Sequence, residues 1–316
     1  MFLKKIKTIF RIIQTEGPFF LLKAGFNNCY YTFLKVVLKK KKAIKKVNGL
    51  YKMELELAGE KMDKALLLFS KREELETEIV KGTIKEGMQI LDLGANIGYY
   101  TLLLSSLVKE QGKIYAVEPL PKNFENLKKN LGLNPKLKSN VILENVAISD
   151  TTGEADFFVG IIHNVGSLVK TDKAQTEQTI KVKTIAISEF LKNKPKIDLL
   201  RMDIEGAETK VFKDLKNVPQ DKLPKMIMFE VHPEGDVDPD PAFTEGFNFL
   251  LEAGYRPQFV VSSSNPVSKK KFAKLGLKPL KSNWLGQAIY HNLKKEHLIE
   301  LGARRPKLTR AILLAK

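Results

Sequence analysis

Short apolar segments alternate with longer amphipathic segments along most of the chain, from Met88 to Tyr290. The short segments have the length of strands, and the longer ones show the residue spacing of helices. Such alternation predicts a mainly parallel sheet that is covered by helices on both faces. We therefore predict a doubly wound α/β domain whose ligands bind beyond the carboxyl ends of the strands, where the strand order reverses.

Seven segments are predicted to form this sheet, and two more are predicted to form an inserted strand pair or hairpin. The seven strands are Met88–Leu93, Lys113–Val117, Asn140–Ile148, Ile197–Met202, Lys225–Val231, Tyr255–Val261 and Trp284–Tyr290. The inserted pair is Gly153–Val159 and Gln178–Thr184. The prediction is thus a mostly parallel, seven-stranded sheet with one insertion.

Charge divides the chain into three parts. Residues 1–50 contain twelve Lys and Arg against one acid, and residues 269–316 contain thirteen against two. Residues 51–268 contain 28 bases against 33 acids. We predict a basic helical extension over 1–60, an α/β domain over 61–292 and a basic tail over 293–316.

The extension begins with an amphipathic pattern. One face of a helix would carry Phe2, Leu3, Ile6, Ile9, Phe10 and Ile13, and the opposite side Lys4, Lys7 and Arg11. A polybasic segment follows at Lys39–Lys42 and Lys45-Lys46. Two interpretations stay open: peripheral binding to a membrane surface with anionic lipids, or a helical cap packed on the α/β domain with a solvated basic rim.

The sequence favours a cytoplasmic protein. Its longest run without a charged residue, Leu93–Val108, has sixteen residues, whereas a membrane-spanning helix needs about 18 or more apolar residues. The only cysteine, Cys29, excludes an internal disulfide. The basic, apolar start resembles part of a signal peptide, but Arg11 interrupts its apolar stretch and no small-residue cleavage site follows, so we expect no export.

The strongest local motif runs from Ile90 to Gly98 and joins a buried strand to a helix through a glycine-rich turn. Gly94 allows a sharp turn, and Gly98 allows close approach to the helix start. The strand ends in Asp92, and the next strand ends at Glu118. A carboxylate at that second strand end can accept hydrogen bonds from a ribose diol.

Binding of NAD is the first alternative for this motif. A dinucleotide fingerprint has three glycines, but here Asn96 stands where the middle glycine is required for approach to a pyrophosphate. The acid at Asp92 fits better beside a positively charged amino acid moiety than beside a diphosphate. The motif therefore favours S-adenosylmethionine, which has no pyrophosphate.

Two further strand ends carry candidate site residues. The strand that ends near Ile148 contains Asn145 and Ala147, which could read the edge of an adenine. The strand that ends at Met202 is followed by Asp203 and Glu205. Acids at a helix start are also stabilised by the helix dipole, by about 0.3–1 kcal/mol each, so Glu205 has a structural explanation as well.

These segments together resemble the FkbM family of S-adenosylmethionine-dependent methyltransferases. The resemblance rests on Lys71–Glu76, Leu91–Thr101, Ala116–Pro119, Asn145–Ser149 and Met202–Glu208, of which the last is the most specific. It implies a Rossmann-like class I methyltransferase fold, and methyl transfer to a hydroxyl of a sugar, glycan or small natural product. It also implies cofactor contacts from Asp92, Gly94, Asn96, Gly98 and Glu118, and an active crevice at Asp203 and Glu205.

Methylation of a hydroxyl requires a base that removes the proton. The candidates are Asp203, Glu205, Glu230 and His232, with His163 in a loop as a further one. Both histidines also have ordinary explanations as loop or strand-end residues. The same acids and His232 could coordinate magnesium, but no compact ligand spacing is present, so we predict no required metal.

Two other functions stay open. The net charge of +17 suggests an RNA-directed methyltransferase that binds through basic ends. However, the charge lies outside the α/β domain, and neither an Asn/Asp-Pro-Pro-Tyr/Phe turn nor a well-placed cysteine nucleophile is present. A non-catalytic interaction protein with a vestigial cofactor fold is the second alternative. No oligomeric state is predicted.

Overall fold

The computed structural model describes residues 2–59, 61–160, 166–170, 178–233, 238–304 and 306–316. The helices are α1 (Phe2–Glu16), α2 (Pro18–Val36), α3 (Lys61–Phe69), α4 (Glu74–Thr83), α5 (Tyr99–Val108), α6 (Pro121–Gly132), α7 (Pro135–Lys138), α8 (Ile187–Lys192), α9 (Glu208–Leu215), α10 (Pro241–Glu252), α11 (Pro266–Lys274) and α12 (Glu296–Gly302). The strands are β1 (Lys42–Val47), β2 (Tyr51–Glu56), β3 (Gln89–Leu93), β4 (Lys113–Val117), β5 (Val141–Glu144), β6 (Ala147–Ser149), β7 (Gly153–Val159), β8 (Gly166–Ser167), β9 (Thr179–Ala186), β10 (Leu199–Met202), β11 (Met226–Glu230), β12 (Arg256–Ser262), β13 (Lys281–Ser282), β14 (Ala288–Tyr290) and β15 (Thr309–Ala315).

The central sheet confirms the predicted doubly wound α/β fold, but among the described residues it has nine strands instead of the predicted seven. Its strand order in the described part of the chain is β13-β14-β12-β15-β11-β10-β3-β4-β5. The strands β5, β4, β3, β10 and β11 are parallel to one another, while β15 is antiparallel to both β11 and β12. The chain proceeds outward from β3 to β5 and then returns to β10 on the other side of β3. The strand order therefore reverses between β3 and β10.

The C-terminal segment differs from the prediction of a basic tail over 293–316. Its last strand, β15, pairs with β11 and β12 inside the sheet, and Ile312 and Leu314 are almost completely buried. The apolar run from Ala311 to Ala315 has the length and composition of a buried strand. The prediction of a basic tail rested on the Lys and Arg residues before that run and did not take the apolar run into account.

The N-terminal extension is not wholly helical. After α1 and α2, the strands β1 and β2 form an antiparallel hairpin in which Val47 pairs with Tyr51. Asn48 and Gly49 both adopt positive φ in its turn. Asn-Gly between two strands is a strong hairpin signal, because both central residues of such a turn need positive φ. The sequence contained this signal, and the helical prediction overlooked it.

The predicted strand Asn140–Ile148 is divided between two sheets. Its first half is β5, at the edge of the central sheet, and its second half is β6. Strand β6 belongs to a separate sheet of order β6-β9-β7-β8. The predicted inserted pair is confirmed as β7 and β9, which are antiparallel. The small sheet thus lies next to the carboxyl end of β5.

None of the helices among the described residues combines the length and the apolarity needed to cross a membrane.

Candidate cofactor and active site

A cavity lies at the carboxyl ends of β3, β4 and β10, where the strand order reverses. Six of the residues that the sequence suggested line it, namely Gly94, Asn96, Glu118, Ala147, Asp203 and Glu205. The small sheet contributes Phe157 and Gly166 to the wall. The cavity therefore combines the predicted glycine turn with the predicted acidic strand ends.

The glycine turn touches the neighbouring strand end through backbone atoms. Gly94 has a φ of 76°, and a β-carbon at this position would overlap the carbonyl oxygen of Asp203. The backbone N–H of Asp203 also donates to the carbonyl oxygen of Leu93 at 3.1 Å. Only glycine satisfies both the positive φ and this close contact. Position 94 thus fixes the distance between the turn and the candidate base.

Gly98 has a packing role behind the cavity. It has a φ of 98°, and a β-carbon there would lie 2.7 Å from Cδ1 of Leu127 in α6. The missing side chain lets the start of α5 pack against α6. The predicted cofactor contact of Gly98 is therefore indirect, because Gly98 is not in the cavity wall.

Glu118 is buried at the end of β4, with 4% of its surface exposed. Its Oε2 accepts from the backbone N–H of Asn96 at 2.8 Å, and its Oε1 accepts from the backbone N–H of Leu120 at 3.0 Å. Burial raises the pKa of this carboxyl to about 7, although both hydrogen bonds act in the opposite direction. The carboxylate is thus held rigidly against the glycine turn.

Asn145 and Ala147 have different positions. The Asn145 side-chain amide donates to the carbonyl oxygens of Glu118 and Pro119 at 2.8 and 3.1 Å. This side chain therefore fixes the loop after β4 instead of lining the cavity. Ala147 lies in the wall together with Val146 and Ile148. An apolar wall of this kind suits the flat face of an adenine better than its polar edge.

Asp92 does not face the cavity, contrary to the prediction that it contacts the positively charged part of the ligand. The side chain is fully buried, with Oδ2 accepting from the hydroxyl of Thr101 at 2.7 Å and Oδ1 from Arg201 at 3.0 Å. Asp92 and Arg201 are direct neighbours on adjacent strands and point to the same face of the sheet. Because this face of the sheet is buried, the negative charge of Asp92 needs a positively charged partner, and Arg201 supplies it.

Arg201 itself lines the cavity, and the sequence interpretation missed it. Its guanidinium lies 4.0 Å from the ring centre of Tyr100 and donates to Asp203 at 3.1 Å. An arginine within the otherwise apolar strand Leu199–Met202 was the signal, because a lone charge in a buried strand needs an acidic partner. Arg201 thus bonds both to Asp92 in the protein interior and to Asp203 in the cavity.

We expect replacement of Arg201 by methionine to lower the free energy of unfolding by about 3–5 kcal/mol, because it leaves Asp92 buried without its cation. The double variant Asp92→Leu/Arg201→Met should recover much of this loss, since an apolar pair of similar volume needs no charge partner. Urea unfolding of both variants measures the difference. If the Arg201→Met protein were as stable as the original protein, the proposed contribution of the buried Asp92–Arg201 ion pair would be wrong.

His232 is surrounded by carboxylates. Its Nδ1 lies 3.1 Å from Oε1 of Glu208, and its Nε2 lies 3.5 Å from oxygens of both Glu205 and Glu230. Burial alone would lower the pKa of His232, but the charge of Glu208 and the bonds to Glu208 and Glu230 raise it to about 10. An imidazolium cannot accept a proton at neutral pH. His232 therefore fits the role of a charge partner instead of the predicted base.

Asp203 has the properties of a base that is exposed to the cavity. Burial first, and then the negative charge of Glu230, raises the pKa of the Asp203 carboxyl to about 6. The side chain is 22% exposed, and Glu205 beside it is 26% exposed. Glu205 adopts a φ of 50°, which directs the chain from β10 into α9. His163, the further candidate, lies outside the described residues.

Asp203, Glu205 and His232 each offer one ligand atom, and these atoms lie within 4.8 Å of one another. Such a set could hold a divalent ion. Here the ring of His232 provides the positive charge between the carboxylates. The prediction that no metal is required stays a prediction.

The C-terminal strand contributes cations to this acidic cluster. Arg310 in β15 donates to Glu230 at 3.2 Å and to Glu73 at 2.8 Å, and its Nε lies 2.6 Å from Glu76. Lys307 donates to Glu230 at 3.0 Å. Both bases fall within the segment that was expected to be a free basic tail. Part of its charge is therefore neutralised inside the protein.

Comparison with known proteins gives one family match. The model of the family described as "Methyltransferase FkbM domain" matches residues 92–257. The hexuronic acid methyltransferase AglP of Haloferax volcanii is 27% identical over 169 residues, which are 52% of this chain and 64% of that protein. The chain thus spans slightly less than two thirds of the length of this curated relative.

Among solved structures, the methyltransferase FkbM from Methylobacillus flagellatus has a TM-score of 0.39 at 14% identity, covering 73% of this chain and 53% of that one. The M. jannaschii TYW2 in complex with AdoMet has a TM-score of 0.42 at 14% identity, covering 87% and 85%.

Proposed function

The chain belongs to the FkbM methyltransferase family, and on this basis we propose that it methylates a hydroxyl oxygen of a sugar or glycan. The observation that carries the proposal is the carboxylate of Asp203. It lies in the same cavity as the glycine turn and Glu118, and its raised pKa suits a base. The activity of the H. volcanii relative on a hexuronic acid supports a sugar as the acceptor.

The methyl donor of the family is S-adenosylmethionine, and the residues of the cavity fit it. At Gly94 the carbonyl oxygen of Asp203 occupies the place of a β-carbon, so the glycine turn and the end of β10 meet through backbone atoms at the cavity, where both line the wall. Glu118 would accept hydrogen bonds from the ribose hydroxyls, and Val146, Ala147 and Ile148 would pack on the adenine. When bound, the donor supplies a methyl group that its positive sulfur has already activated.

The acceptor hydroxyl must lose a proton as it is methylated, and we assign its removal to Asp203. Arg201 holds one carboxylate oxygen at 3.1 Å, so the base keeps a fixed orientation towards the cavity. Glu205 lies next to it and can orient the acceptor, while the imidazolium of His232 offsets the charge of the surrounding acids. Fixing the acceptor and the base in this way reduces the entropic cost of the reaction.

A lysine in the cavity wall supports an acidic sugar as the acceptor. Lys61, at the start of α3, and Arg72, just before α4, both lie in this wall. Arg72 is ion-paired with Glu73 and lies 5.9 Å from the ring centre of Tyr99. A sugar carboxylate entering from this side would meet the ammonium of Lys61, whereas the charge of Arg72 is already balanced by Glu73, which also lines the cavity.

Transfer from S-adenosylmethionine with a labelled methyl group to oligosaccharides that contain glucuronic acid tests the proposal. We expect labelled product, and mild alkali should leave the label in place, because a methyl ether survives conditions that hydrolyse a methyl ester. Neutral oligosaccharides provide the comparison for the role of Lys61. If mild alkali removed the label, the carboxylate of the sugar would be the methylated group. Methylation of a carboxylate needs no base, so this result would contradict the role of Asp203.

We expect methyl transfer to continue in the presence of EDTA, because the imidazolium of His232 already places positive charge where a divalent ion would bind. The initial rate with excess EDTA, compared with the rate with added magnesium, measures this. A loss of most of the rate that magnesium restores would show that Asp203, Glu205 and His232 are metal ligands.

The alternative of RNA as the substrate has less support. Arg310 and Lys307 of the basic C-terminal segment are paired with acids of the protein, so they are not available to phosphates. A non-catalytic function also has less support, because the turn at Gly94 and the carboxyl group of Glu118, both suited to binding the cofactor, line the same cavity. We propose the cytoplasm as the compartment, since Cys29 is a free, exposed thiol.

A further inference from the structure

Exposed apolar side chains are concentrated on one part of the protein. Of the seventeen large hydrophobic residues that are exposed in the described part of the chain, thirteen lie between Ile9 and Leu50. They are Ile9, Phe10, Ile13, Phe19, Leu22, Phe26, Tyr30, Phe33, Val36, Val37, Leu38, Ile44 and Leu50. Apolar surface of this extent marks an interaction site.

Along α2 these residues form a continuous stripe. Phe19, Leu22, Phe26, Tyr30 and Phe33 follow one another at intervals of three or four residues, which places them on one face of the helix. Phe19 is 81% exposed and Phe26 is 72% exposed. The helix therefore presents a row of aromatic and aliphatic side chains to solvent.

The opposite face of α2 is attached to the protein. Phe20 stacks on Phe69 of α3 with ring centres 5.1 Å apart, and the amide of Asn27 donates to the carbonyl oxygen of Leu68 at 2.8 Å. Leu34 is buried. The cap interpretation of the extension is thus correct for this inner face, but it leaves the outer apolar face unexplained.

The same region carries a strong positive charge. Residues 1–50 contain twelve Lys and Arg against one acid, and that acid, Glu16, is paired with Lys71 at 2.7 Å. Arg11 in α1 and Lys23 and Lys35 in α2 are exposed, and Lys39–Lys41 follow α2 directly. A membrane with anionic lipids offers an apolar layer under a negatively charged surface, and this pattern complements both.

We propose that the outer faces of α1 and α2 dock on the surface of a membrane that contains anionic lipids. The apolar stripe enters the boundary between head groups and acyl chains, and the lysines contact the lipid phosphates. Helix α1 lies in the plane of the membrane, in keeping with its amphipathic pattern, and α2 turns its exposed apolar stripe towards the lipid. Docking does not alter the methyl-transfer reaction proposed above.

Docking has a consequence for the acceptor, which rests on the function proposed above. Helix α3, on which α2 packs, begins with Lys61 and Met62, and both line the cavity. Helix α3 thus contacts α2 at its end, through Leu68 and Phe69, and lines the cavity at its start. This arrangement fits a glycan acceptor that is attached to a membrane lipid.

Flotation of the full chain with lipid vesicles tests the docking. We expect binding to vesicles of phosphatidylcholine with phosphatidylglycerol, and at least tenfold weaker binding to phosphatidylcholine alone or at high salt. The variant Phe19→Ser/Leu22→Ser/Phe26→Ser should lose at least tenfold in binding. The control variant Val267→Ser/Leu280→Ser/Leu285→Ser removes three exposed apolar residues elsewhere and should bind as the original protein does.

Thermal unfolding and affinity for S-adenosylhomocysteine should be the same in both variants and in the original protein, because the exchanged side chains face solvent. Equal binding to neutral and anionic vesicles, or full binding by the α2 variant, would overturn the proposal. A dimer that the α2 variant dissociates, without vesicle binding by the original protein, would identify a second copy as the occupant and would also overturn it. A failure of methyl transfer to sugars leaves the flotation result unaffected, so the two proposals fail independently.

Discussion

Replacement of Glu118 by alanine is expected to weaken binding of S-adenosylhomocysteine about 100-fold or more. The carboxylate is buried at the end of β4 and held against the glycine turn by Asn96 and Leu120. The variant would lose two hydrogen bonds from the ribose to a charged acceptor, each worth about 1.5–3 kcal/mol. Isothermal titration calorimetry measures the change directly.

A matched control is available at the next strand. Glu144 ends β5 as Glu118 ends β4, but it pairs with Lys194 at 3.6 Å and lies outside the cavity wall. Glu144→Ala should leave the affinity unchanged. Because Glu118→Ala also removes acceptors for two backbone N–H groups, the melting temperature without ligand should be compared as well. A folded Glu118→Ala protein with the original affinity would refute the position given to the ribose.

Replacement of Asp203 by asparagine is expected to lower kcat by about 10²–10⁴, the usual contribution of a general base. The amide has nearly the same shape but cannot take the proton of the acceptor. The affinity for S-adenosylhomocysteine should change little, because Asp203 acts on the acceptor. Initial rates with a saturating oligosaccharide measure the effect, and Asp150→Asn, an acid paired with Lys213 outside the cavity, is the control.

The pH profile gives an independent measurement for the same residue. The pKa of Asp203 is raised to about 6, and a base acts only in its ionised form. We therefore expect kcat/KM to rise with pH, tenfold per unit below pH 6, and to level off above it. A profile controlled by His232 would instead change near pH 10. A rate that is independent of pH between 5 and 7 would exclude Asp203 as the base.

The sequence predicts the part of the fold that depends on local pattern. The segments of β3, β4 and β10 are short and apolar, and the glycine turn at Gly94 fixes how β3 meets the helix that follows, so both the sheet and its crevice could be inferred. Glu118 and Asp203 were found because residues that directly follow parallel strands meet at one edge of the sheet.

The parts that the sequence analysis missed depend on contacts between distant segments. Asp92 and Arg201 are 109 residues apart, and only the pairing of β3 with β10 brings them together. Without this pairing, Asp92 looked like a ligand contact. The high pKa of His232 likewise results from Glu208 and Glu230, whose positions around one ring are set by the tertiary fold.

The position of β15 has a consequence for how the protein is made. This strand comes after every other strand along the chain, yet it lies between β11 and β12 in the sheet. The edges of β11 and β12 that face each other are joined only through β15, so β3, β4, β5, β10 and β11 form one sheet with β12 and β14 only once residues 309–315 have inserted between them. The same insertion brings Arg310 to Glu73, Glu76 and Glu230.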